Sequence, residues 1–352
     1  MNKQEVILCE NLESDLAHAL GQCPHDRVFV LTDEHTHRLC LPLLSRVDGL
    51  KGAGEIVIGA EDTHKNLATL ASVWQALSDG GATRHSLMVN LGGGMVTDLG
   101  GFAASTFKRG IPYINIPTTL LAMVDAAVGG KTGINFNGLK NEIGVFAPAL
   151  SVLIETEFLR TLDSRNFFSG YAEMLKHGLI STPGHWAELL DFDAGQIDYA
   201  LLKTLVGRSV QVKENIVRED PTERGIRKAL NFGHTIGHAF ESLALAEERP
   251  ELHGYAVAWG MVCELYLSCL KTGFPTDRMR QTVRFIKEHY GTFAFDCKEY
   301  DRLYDLMKHD KKNTAGVINF TLLKDIGQIA LNQTADKDLI FEAFDFYRET
   351  MG

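Results

Sequence analysis

The sequence predicts a protein of two parts, in which an α/β first half precedes a mostly helical second half. In the first half, short β-branched or apolar runs at 27–32, 55–59, 86–91 and 111–116 alternate with helix-like stretches such as 63–78. From about residue 157, apolar residues recur at helical spacing over longer segments. The alternation is typical of a parallel sheet covered by helices, and the change of period predicts a domain boundary after residue 157.

Composition limits the classes of protein to which the chain can belong. It has 352 residues, of which 45% are hydrophobic, and a formal net charge of -10. This length is sufficient for two domains with large cores. The acidic balance argues against nucleic acid or an anionic membrane as a partner, because both attract clustered positive charge. Any anionic ligand must therefore be bound by local basic residues.

The N-terminus and the cysteines indicate the compartment. The first residues lack a basic stretch followed by an apolar one, and no apolar run approaches membrane-spanning length. The six cysteines are scattered and form no CxxC pair, which favours reduced thiols over disulfides or a structural zinc site. We therefore expect a cytoplasmic protein.

The strand predicted at 86–91 is followed at once by Gly92, Gly93 and Gly94 and then by a predicted helix. In parallel sheets, ligands bind beyond the carboxyl ends of the strands. Glycines let the backbone approach a pyrophosphate closely, and a helix N-terminus offers unpaired N–H groups. The run is not a GxGxxG fingerprint, so it is either a nucleotide-binding loop or a tight turn.

A second glycine-rich run, GGKTG, lies at 129–133. It is not a phosphate loop of the GxxxxGK(S/T) type, because the earlier glycine would fall at Asp125. Lys131 in this run is nevertheless well placed to hold an anion. Lys140 and Asn141 follow in a predicted loop that contains glycine, and add a cation and an amide. The clustering of these residues near glycine-rich loops predicts a site for phosphate or carboxylate.

The second half is predicted to be helical at 169–180, 199–214, 227–245, 257–270, 277–289 and 338–347, with a hairpin formed by 317–323 and 328–330. Within the third of these helices, His234 and His238 lie four residues apart and so project from one face, with Asn231 one turn earlier on the same side. Such a pair either coordinates a metal or forms hydrogen bonds inside the core.

A carboxylate and two imidazoles form a three-ligand set that leaves an open position on Zn²⁺ for substrate. The candidates for this set are Glu173, His234, His238 and His253. Spacing alone favours the pair His234 and His238 and leaves the third ligand open.

Eight segments of the chain follow one another in the order GGGxxxD, PTTLLAxVD, GGKTGIN, KN, AEMLKHG, NxxHTxGHxxE, HGxAV and DKK. In this order they resemble the 3-dehydroquinate synthase family of sugar-phosphate cyclases, and they extend over most of residues 50–330. The resemblance implies a Rossmann-like nucleotide-binding domain at 1–157, a helical metal- and substrate-binding domain at 158–352, an active site between them, and a homodimer. It also implies NAD and one divalent metal ion, zinc or cobalt, as cofactors.

The resemblance assigns roles to individual positions. It makes Glu173, His234 and His253 the metal ligands, so that His238 contacts the substrate instead. Positions that match nucleotide contacts are Asp33, Glu61, Lys65, Gly93, Gly94, Met95, Asp98, Thr118, Thr119, Lys131, Lys140, Phe158 and Thr161. Positions that match catalytic contacts are Lys131, Lys176, Lys213, Arg227, Asn231 and His238. Further substrate contacts match Asp125, Asn141, one lysine of the pair Lys311 and Lys312, and Arg109, which would reach the phosphate bound by a neighbouring subunit.

Members of this family convert 3-deoxy-D-arabino-heptulosonate 7-phosphate into 3-dehydroquinate and phosphate in the shikimate pathway. The resemblance implies NAD-dependent oxidation, phosphate elimination, re-reduction, ring opening and aldol closure, with NAD⁺ regenerated in every turnover.

Three alternatives differ from this activity in what they require. A polyol dehydrogenase similar to glycerol dehydrogenase would release NADH and would not need the cations Lys131, Lys213 and Arg227. A cyclase that makes an inosose or a valiolone would depart at substrate-contacting positions. A non-enzymatic copy would have lost a metal ligand or the glycine run, and the sequence retains both.

Overall fold

A parallel β-sheet organises the first half of the chain in the computed structural model, which describes residues 4–137, 139–308 and 317–352. The strands of this half are β1 (Glu5–Leu8), β2 (Val28–Asp33), β3 (Gly54–Ile58), β4 (Leu87–Gly92), β5 (Tyr113–Pro117), β6 (Lys131–Phe136), β7 (Leu139–Phe146) and β8 (Ser151–Ile154). The six-stranded sheet has the order β1-β8-β5-β4-β2-β3, and its neighbours pair in parallel. The four strands predicted from apolar runs are confirmed as β2 to β5.

Helices connect the strands of the sheet. They are α1 (Leu12–Gly21), α2 (Glu34–Leu39), α3 (Leu67–Asp79) and α4 (Gly94–Thr106). Strands β2 and β4 are buried at every residue, which explains their continuous apolar sequences, since helices cover both faces of such a sheet. The predicted α/β architecture of this half is therefore confirmed.

The strands β6 and β7 form an antiparallel hairpin. Lys140 and Asn141, which were predicted to lie in a loop, are part of β7. The prediction was wrong because all eight residues of β7 are exposed, so the strand lacks the buried apolar alternation by which strands are recognised.

The second half consists mainly of helices. They are α5 (Ser164–Ser181), α6 (Pro183–Leu190), α7 (Tyr199–Glu219), α8 (His234–Ala246), α9 (His253–Thr272), α10 (Thr276–Tyr290), α11 (Tyr300–Lys308) and α12 (Lys337–Met351). The predicted hairpin is formed by β9 (Phe320–Asp325) and β10 (Gln328–Gln333), which pair antiparallel. The mostly helical character of this half is confirmed.

One predicted helix is interrupted. The segment 227–245 begins as a short 3-10 helix at Ile226–Asn231, and α8 starts only at His234. Between them Gly233 adopts a left-handed conformation with a φ of 80°. Asn231 therefore does not lie one helical turn before His234, because glycine accepts this conformation and breaks the helix there.

The chain divides into two compact units. The first comprises Met1–Asp163 and Tyr199–Val210, and the second comprises Ser164–Asp198 and Gln211–Gly352. The predicted domains 1–157 and 158–352 stay a prediction. All six cysteines are free thiols. In the described part of the chain, no helix is long and apolar enough to cross a membrane.

Candidate active site

Three helices of the second unit bring one carboxylate and three imidazoles together. Glu173 lies on α5 and is fully buried, His234 and His238 lie in the first turns of α8, and His253 is the first residue of α9. Glu173 Oε1 lies 3.3 Å from His234 Nε2 and 3.7 Å from His253 Nε2. Ligands of a tetrahedral zinc ion are about 3.3–3.5 Å apart when their bonds are near 2.0–2.1 Å. The three side chains therefore fit a divalent metal.

The Nδ1 atoms of His234 and His253, which point away from Glu173, each lie close to an oxygen acceptor. His234 Nδ1 lies 3.1 Å from the Phe232 carbonyl oxygen, and His253 Nδ1 lies 3.4 Å from Glu241 Oε2. A ring that donates its Nδ1–H to these oxygens presents the Nε2 lone pair on its other side, which is how metal-ligating histidines are usually held. In both cases that Nε2 faces Glu173.

His238 belongs to the same cluster. Its ligand atom and those of His234 and His253 lie within 4.8 Å of one another, and its ring centroid is 5.3 Å from that of His234. Two donor sets thus share His234 and His253, and the third ligand is either Glu173 or His238. The choice of Glu173 stays a prediction, and the geometry agrees with it.

The electrostatics of the cluster differ from one group to the next. Burial acts to raise the pKa of Glu173, but the ammonium of Lys176 and the contacts with the His234 and His253 imidazoles outweigh it and hold this pKa well below its usual range. Burial lowers the pKa of His234 to about 3. Burial also acts to lower the pKa of His253, but its contacts with the carboxylates of Glu173 and Glu241 outweigh burial and raise it to about 10. Without a metal, Glu173 is therefore ionised, His234 neutral and His253 protonated at neutral pH.

The second unit also buries cations that were predicted to contact substrate. Lys176, Lys213 and Arg227 are 1%, 6% and 1% exposed. Lys176 Nζ pairs with Glu173 Oε2, one helical turn away on α5. Arg227 Nη1 donates a hydrogen bond of 2.6 Å to the Pro221 carbonyl oxygen. Buried cations are costly unless they are paired, so each is held in place by its surroundings.

The segment that carries Arg227 is fixed by carboxylates. The amide of Arg227 and that of Gly225 both donate to Asp220 Oδ2, at 3.1 and 2.6 Å. At the end of the same 3-10 helix, Asn231 Nδ2 donates to Glu223 Oε1 at 2.8 Å. These contacts position two of the predicted substrate residues.

In the first unit, the glycine-rich loop lies where the sequence predicted it. Gly92 ends β4 and is paired with Pro117 at the end of β5. Helix α4 starts at Gly94, and its N-cap Gly93 has no side chain to occupy the N-terminal amides. A Cβ on Gly93 would lie 3.1 Å from Thr119 Cγ2, so the loop and the segment after β5 are in close contact. This arrangement fits the pyrophosphate of a dinucleotide.

A buried lysine joins other predicted positions of this unit. Lys65 is 4% exposed, and its Nζ lies 2.5 Å from both Asp98 Oδ2 and Asn141 Oδ1. Nearby along the hairpin, Lys140 Nζ lies 3.4 Å from Asp62 Oδ2. The structure thus brings two predicted nucleotide positions, Lys65 and Asp98, into direct contact with Asn141, a predicted substrate position.

The remaining nucleotide positions have local roles in the structure. Asp33 caps α2, where its Oδ1 accepts hydrogen bonds of 2.8 Å from the amides of His35 and Thr36. Thr161 Oγ1 donates to the carbonyl oxygen of the buried Phe158 at 2.8 Å. The others are Glu61, which is exposed with a φ of 74°, Met95 in the first turn of α4, and Thr118, whose amide donates to the Gly92 carbonyl oxygen at 3.0 Å.

Five further residues complete the set that was predicted to contact substrate. Asp125 lies in the π-helical turn Ala122–Ala126, and Lys131 is the exposed first residue of β6. Arg109 is exposed and has a φ of 71°. Lys311 and Lys312 lie outside the described residues.

Two carboxylates of the second unit were missed by the sequence analysis. Glu241 accepts from His253, and Glu264 accepts from backbone amides at the start of α8. The signal for Glu241 was its position three residues after His238 on one helix face. The signal for Glu264 was a charged residue within the otherwise apolar run of α9, since such a residue is buried only where it has partners.

Two family models match consecutive parts of the chain. Residues 55–169 match the model described as 3-dehydroquinate synthase N-terminal, and residues 170–313 match the model described as 3-dehydroquinate synthase C-terminal.

The chain belongs to the 3-dehydroquinate synthase family.

Relatives that bear the name 3-dehydroquinate synthase support the function of this chain. The 3-dehydroquinate synthase of Parabacteroides distasonis is 56% identical over 352 residues, which is 100% of both chains. That of Streptococcus pyogenes serotype M3 is 34% identical over 97% of this chain and 95% of its own. The chain is thus an enzyme, and its function is that of a 3-dehydroquinate synthase.

A solved structure of another cyclase supports the fold of this chain. The 2-epi-5-epi-valiolone synthase from Streptomyces hygroscopicus, with NAD⁺ and Zn²⁺ bound, superposes with a TM-score of 0.86 at 28% identity. The alignment covers 99% of this chain and 98% of the other. The Rossmann-like sheet and helical second half are thus shared with another sugar-phosphate cyclase.

Proposed function

We propose that the chain converts 3-deoxy-D-arabino-heptulosonate 7-phosphate into 3-dehydroquinate and phosphate, with NAD and one divalent ion, zinc or cobalt, as cofactors. The observation that carries the proposal is the cluster of Glu173, His234 and His253, whose facing atoms are 3.3 and 3.7 Å apart. The cyclase from Streptomyces hygroscopicus was solved with NAD⁺ and Zn²⁺, which supports the same cofactors here.

When bound, NAD⁺ would supply a reversible hydride acceptor, and the metal ion a Lewis acid for the substrate's hydroxyl groups. Glu173, His234 and His253 would hold the metal. The bare amides at the N-terminus of α4 would hold the pyrophosphate, with Gly93 and Gly94 leaving room for it. The other predicted nucleotide positions would complete this site.

The cations of the chain would bind the two charged ends of the substrate. Lys213 and Arg227 suit its carboxylate through charge-assisted hydrogen bonds, and the buried guanidinium of Arg227 is already oriented by the Pro221 carbonyl. Lys131, Asn141, Asn231, His238 and Arg109 suit its phosphate. Because these groups are local, a chain with a net charge of -10 can still bind a strongly anionic sugar.

Positioning is the main task of these residues in the later steps. The ring closure joins two parts of one molecule, so a site that holds both in place gains the large advantage of an intramolecular reaction. Lys176, paired with Glu173, and His238, beside His234, lie next to the metal position and would orient the hydroxyl groups bound there. We assign no protein base to phosphate elimination, since the substrate phosphate can remove that proton itself.

The proposal also covers the oligomeric state, the compartment and the domains of the protein. We propose a homodimer in the cytoplasm, in which residues 1–157 bind the nucleotide and residues 158–352 bind the metal and substrate.

The test is phosphate release from 3-deoxy-D-arabino-heptulosonate 7-phosphate by the purified protein with Zn²⁺ and a sub-stoichiometric amount of NAD⁺. We expect many phosphates per NAD⁺, no accumulation of NADH at its absorbance band, and loss of turnover with a chelator. Steady NADH formation from glycerol or another polyol, without turnover of the sugar phosphate, would contradict the proposal in favour of a dehydrogenase.

A further inference from the structure

The N-terminus of α8 is stabilised by a residue from another helix. Its N-cap is Gly233, which has no side chain to satisfy the first amides of the helix. The carboxylate of Glu264 takes this place: Oε2 accepts from the Gly233 amide at 2.6 Å, and Oε1 accepts from the Ile236 amide at 3.1 Å. Helix ends that are buried require such partners, and an anion there also interacts favourably with the helix dipole.

Glu264 is itself completely buried on α9. A buried carboxylate is costly unless it accepts hydrogen bonds. Glu264 can therefore be buried here because the two amides donate to it. The two amides flank His234, which is the first residue of α8. The backbone on both sides of this predicted metal ligand is therefore attached to one side chain.

The same helix also carries the other histidine ligand. Glu264 follows His253 by 11 residues on α9, which is about three turns, so the two lie on one face of the helix. Between them Gly260 contacts α8 so closely that a Cβ would lie 2.1 Å from the Gly233 carbonyl oxygen. Helix α9 thus supplies His253 at one point and fixes the backbone of His234 at another.

We propose that Glu264 is a positioning residue for the metal centre, which holds His234 at its distance from Glu173 by capping α8 from α9. This inference rests on the proposed metal site. If one of the two carboxylate oxygens of Glu264 were lost as an acceptor, the first turn of α8 would be released. His234 Nε2 would then no longer be held 3.3 Å from Glu173 Oε1.

The test compares Glu264→Gln with wild type and with Leu265→Ala. In Glu264→Gln, an NH₂ group faces one of the backbone N–H donors, so one cap hydrogen bond is lost at nearly unchanged volume. Leu265 is the next residue of α9 and fully buried, so its replacement destabilises the same helix without touching the cap. The metal-free proteins are titrated with CoCl₂, and the visible Co²⁺ spectrum reports the ligand geometry.

We expect Glu264→Gln to bind Co²⁺ roughly 10- to 100-fold more weakly, as for other residues that support metal ligands, with a changed visible spectrum. Leu265→Ala should keep the wild-type affinity and spectrum. Wild-type affinity in Glu264→Gln, or an equal loss in Leu265→Ala, would overturn the inference. A wild-type protein that binds no Co²⁺ would instead overturn the proposed metal site.

A measurement on the wild-type protein serves if Glu264→Gln does not fold. Amide hydrogen exchange should place Gly233 and Ile236 among the most slowly exchanging amides of the second unit. Rapid exchange at both positions in the folded protein would overturn the inference, because amides held by a buried carboxylate are protected.

Discussion

Two imidazoles of the predicted metal site, His234 and His253, face the carboxylate of Glu173 but differ in protonation. Burial lowers the pKa of His234 to about 3, whereas the carboxylates of Glu173 and Glu241 outweigh burial and raise that of His253 to about 10. A metal binds the neutral imidazole, so the proton on His253 must leave before the ion can enter. We therefore expect metal uptake to be coupled to the loss of one proton from His253.

We predict that binding of Zn²⁺ at pH 7.5 releases about one proton, and that the apparent affinity rises about tenfold per pH unit between pH 7 and 9. The proton count follows from calorimetric titration in two buffers with different ionisation enthalpies. A binding enthalpy that is the same in both buffers would show that no proton is exchanged.

The same pKa of His253 predicts the stability of the metal-free protein. A pKa raised from 6.5 to about 10 stabilises the folded state below pH 6.5, and this contribution is lost as the pH rises towards 10. The midpoint of thermal unfolding in chelator should fall over this range more for wild type than for His253→Gln. Equal falls would indicate that other groups cause it.

Single substitutions can test whether Glu173 or His238 is the third metal ligand beside His234 and His253. Because a lost ligand costs more than a lost outer partner, His234→Ala should weaken Zn²⁺ binding by more than about 100-fold and abolish turnover. His238→Ala should keep the metal and lose turnover, since Glu173 is the predicted third ligand. Bound zinc after dialysis and circular dichroism would be measured for both. Loss of zinc in His238→Ala would assign the third ligand to the imidazole.

At the scale of single residues, spacing alone predicted the pair His234 and His238 but not which of them is a metal ligand, and the assignment of His234 came only from the resemblance. The choice depends on Glu173, which lies on another helix, and no local pattern reports a contact across so many residues. Lys65 illustrates the same limit, since its partners Asp98 and Asn141 are 33 and 76 residues away. Local periodicity determines which side chains share a face, whereas tertiary packing determines which faces meet.

Helices α8 and α9 cross with backbone against backbone. A Cβ on Gly237 would lie 2.8 Å from the Ala256 carbonyl oxygen, and one on Gly260 would lie 2.1 Å from that of Gly233. Real Cβ atoms do not approach backbone so closely, and the backbone here cannot move without moving the predicted metal ligands His234 and His253. Small residues at this crossing therefore set the geometry of the site.

We predict that Gly260→Ala destabilises the protein by about 3 kcal/mol, because a methyl group would be forced into backbone atoms. The thermal midpoint of the second unit should fall by roughly 6–12 °C in calorimetry. Gly184→Ala on α6 is the matched control, since a Cβ there has nothing within 4 Å, and it should change the stability by less than about 1 kcal/mol. Similar midpoints for the two variants would contradict the close crossing.

The length of an apolar run decided which strands could be predicted from the sequence. Strands β2, β4 and β5 were predicted because they are apolar and buried, and β3 because it is mostly apolar, although only Ile56 and Ile58 are buried. Strands β1 and β8 were missed because each has only four residues. The exposed β7 carries no such pattern. The break at Gly233 was missed because apolar residues continue at helical spacing on both sides of it, so only the backbone conformation distinguishes the two helices.

Arg109 is exposed in a turn where three successive residues have positive φ values. Lys108, Arg109 and Gly110 have φ angles of 49°, 71° and 109°. Such a backbone is strained for residues other than glycine, and strain of this kind is concentrated at functional sites. The strain supports a functional role for Arg109, and the resemblance places its partner in a neighbouring subunit.

We predict that Arg109→Ala raises KM for the sugar phosphate roughly 10- to 100-fold, which corresponds to a lost hydrogen bond to a charged group. Mixed with an equal amount of His234→Ala and allowed to exchange subunits, it should recover about one quarter of the wild-type activity, since half the dimers then contain one complete site. No recovery in mixtures shown to contain mixed dimers would assign Arg109 to its own subunit.

The division of the chain into units has a consequence for its biosynthesis. The first unit includes Tyr199–Val210, whose Leu202, Leu205 and Val206 are fully buried, and Lys203 in this segment donates to the Cys9 carbonyl oxygen at 2.5 Å. The parallel sheet is thus complete in sequence by Ile154, but its unit is not complete until residue 210 has left the ribosome. During this interval we expect the apolar surface that Leu202, Leu205 and Val206 later cover to be exposed, and a fragment that ends at residue 163 should keep it exposed.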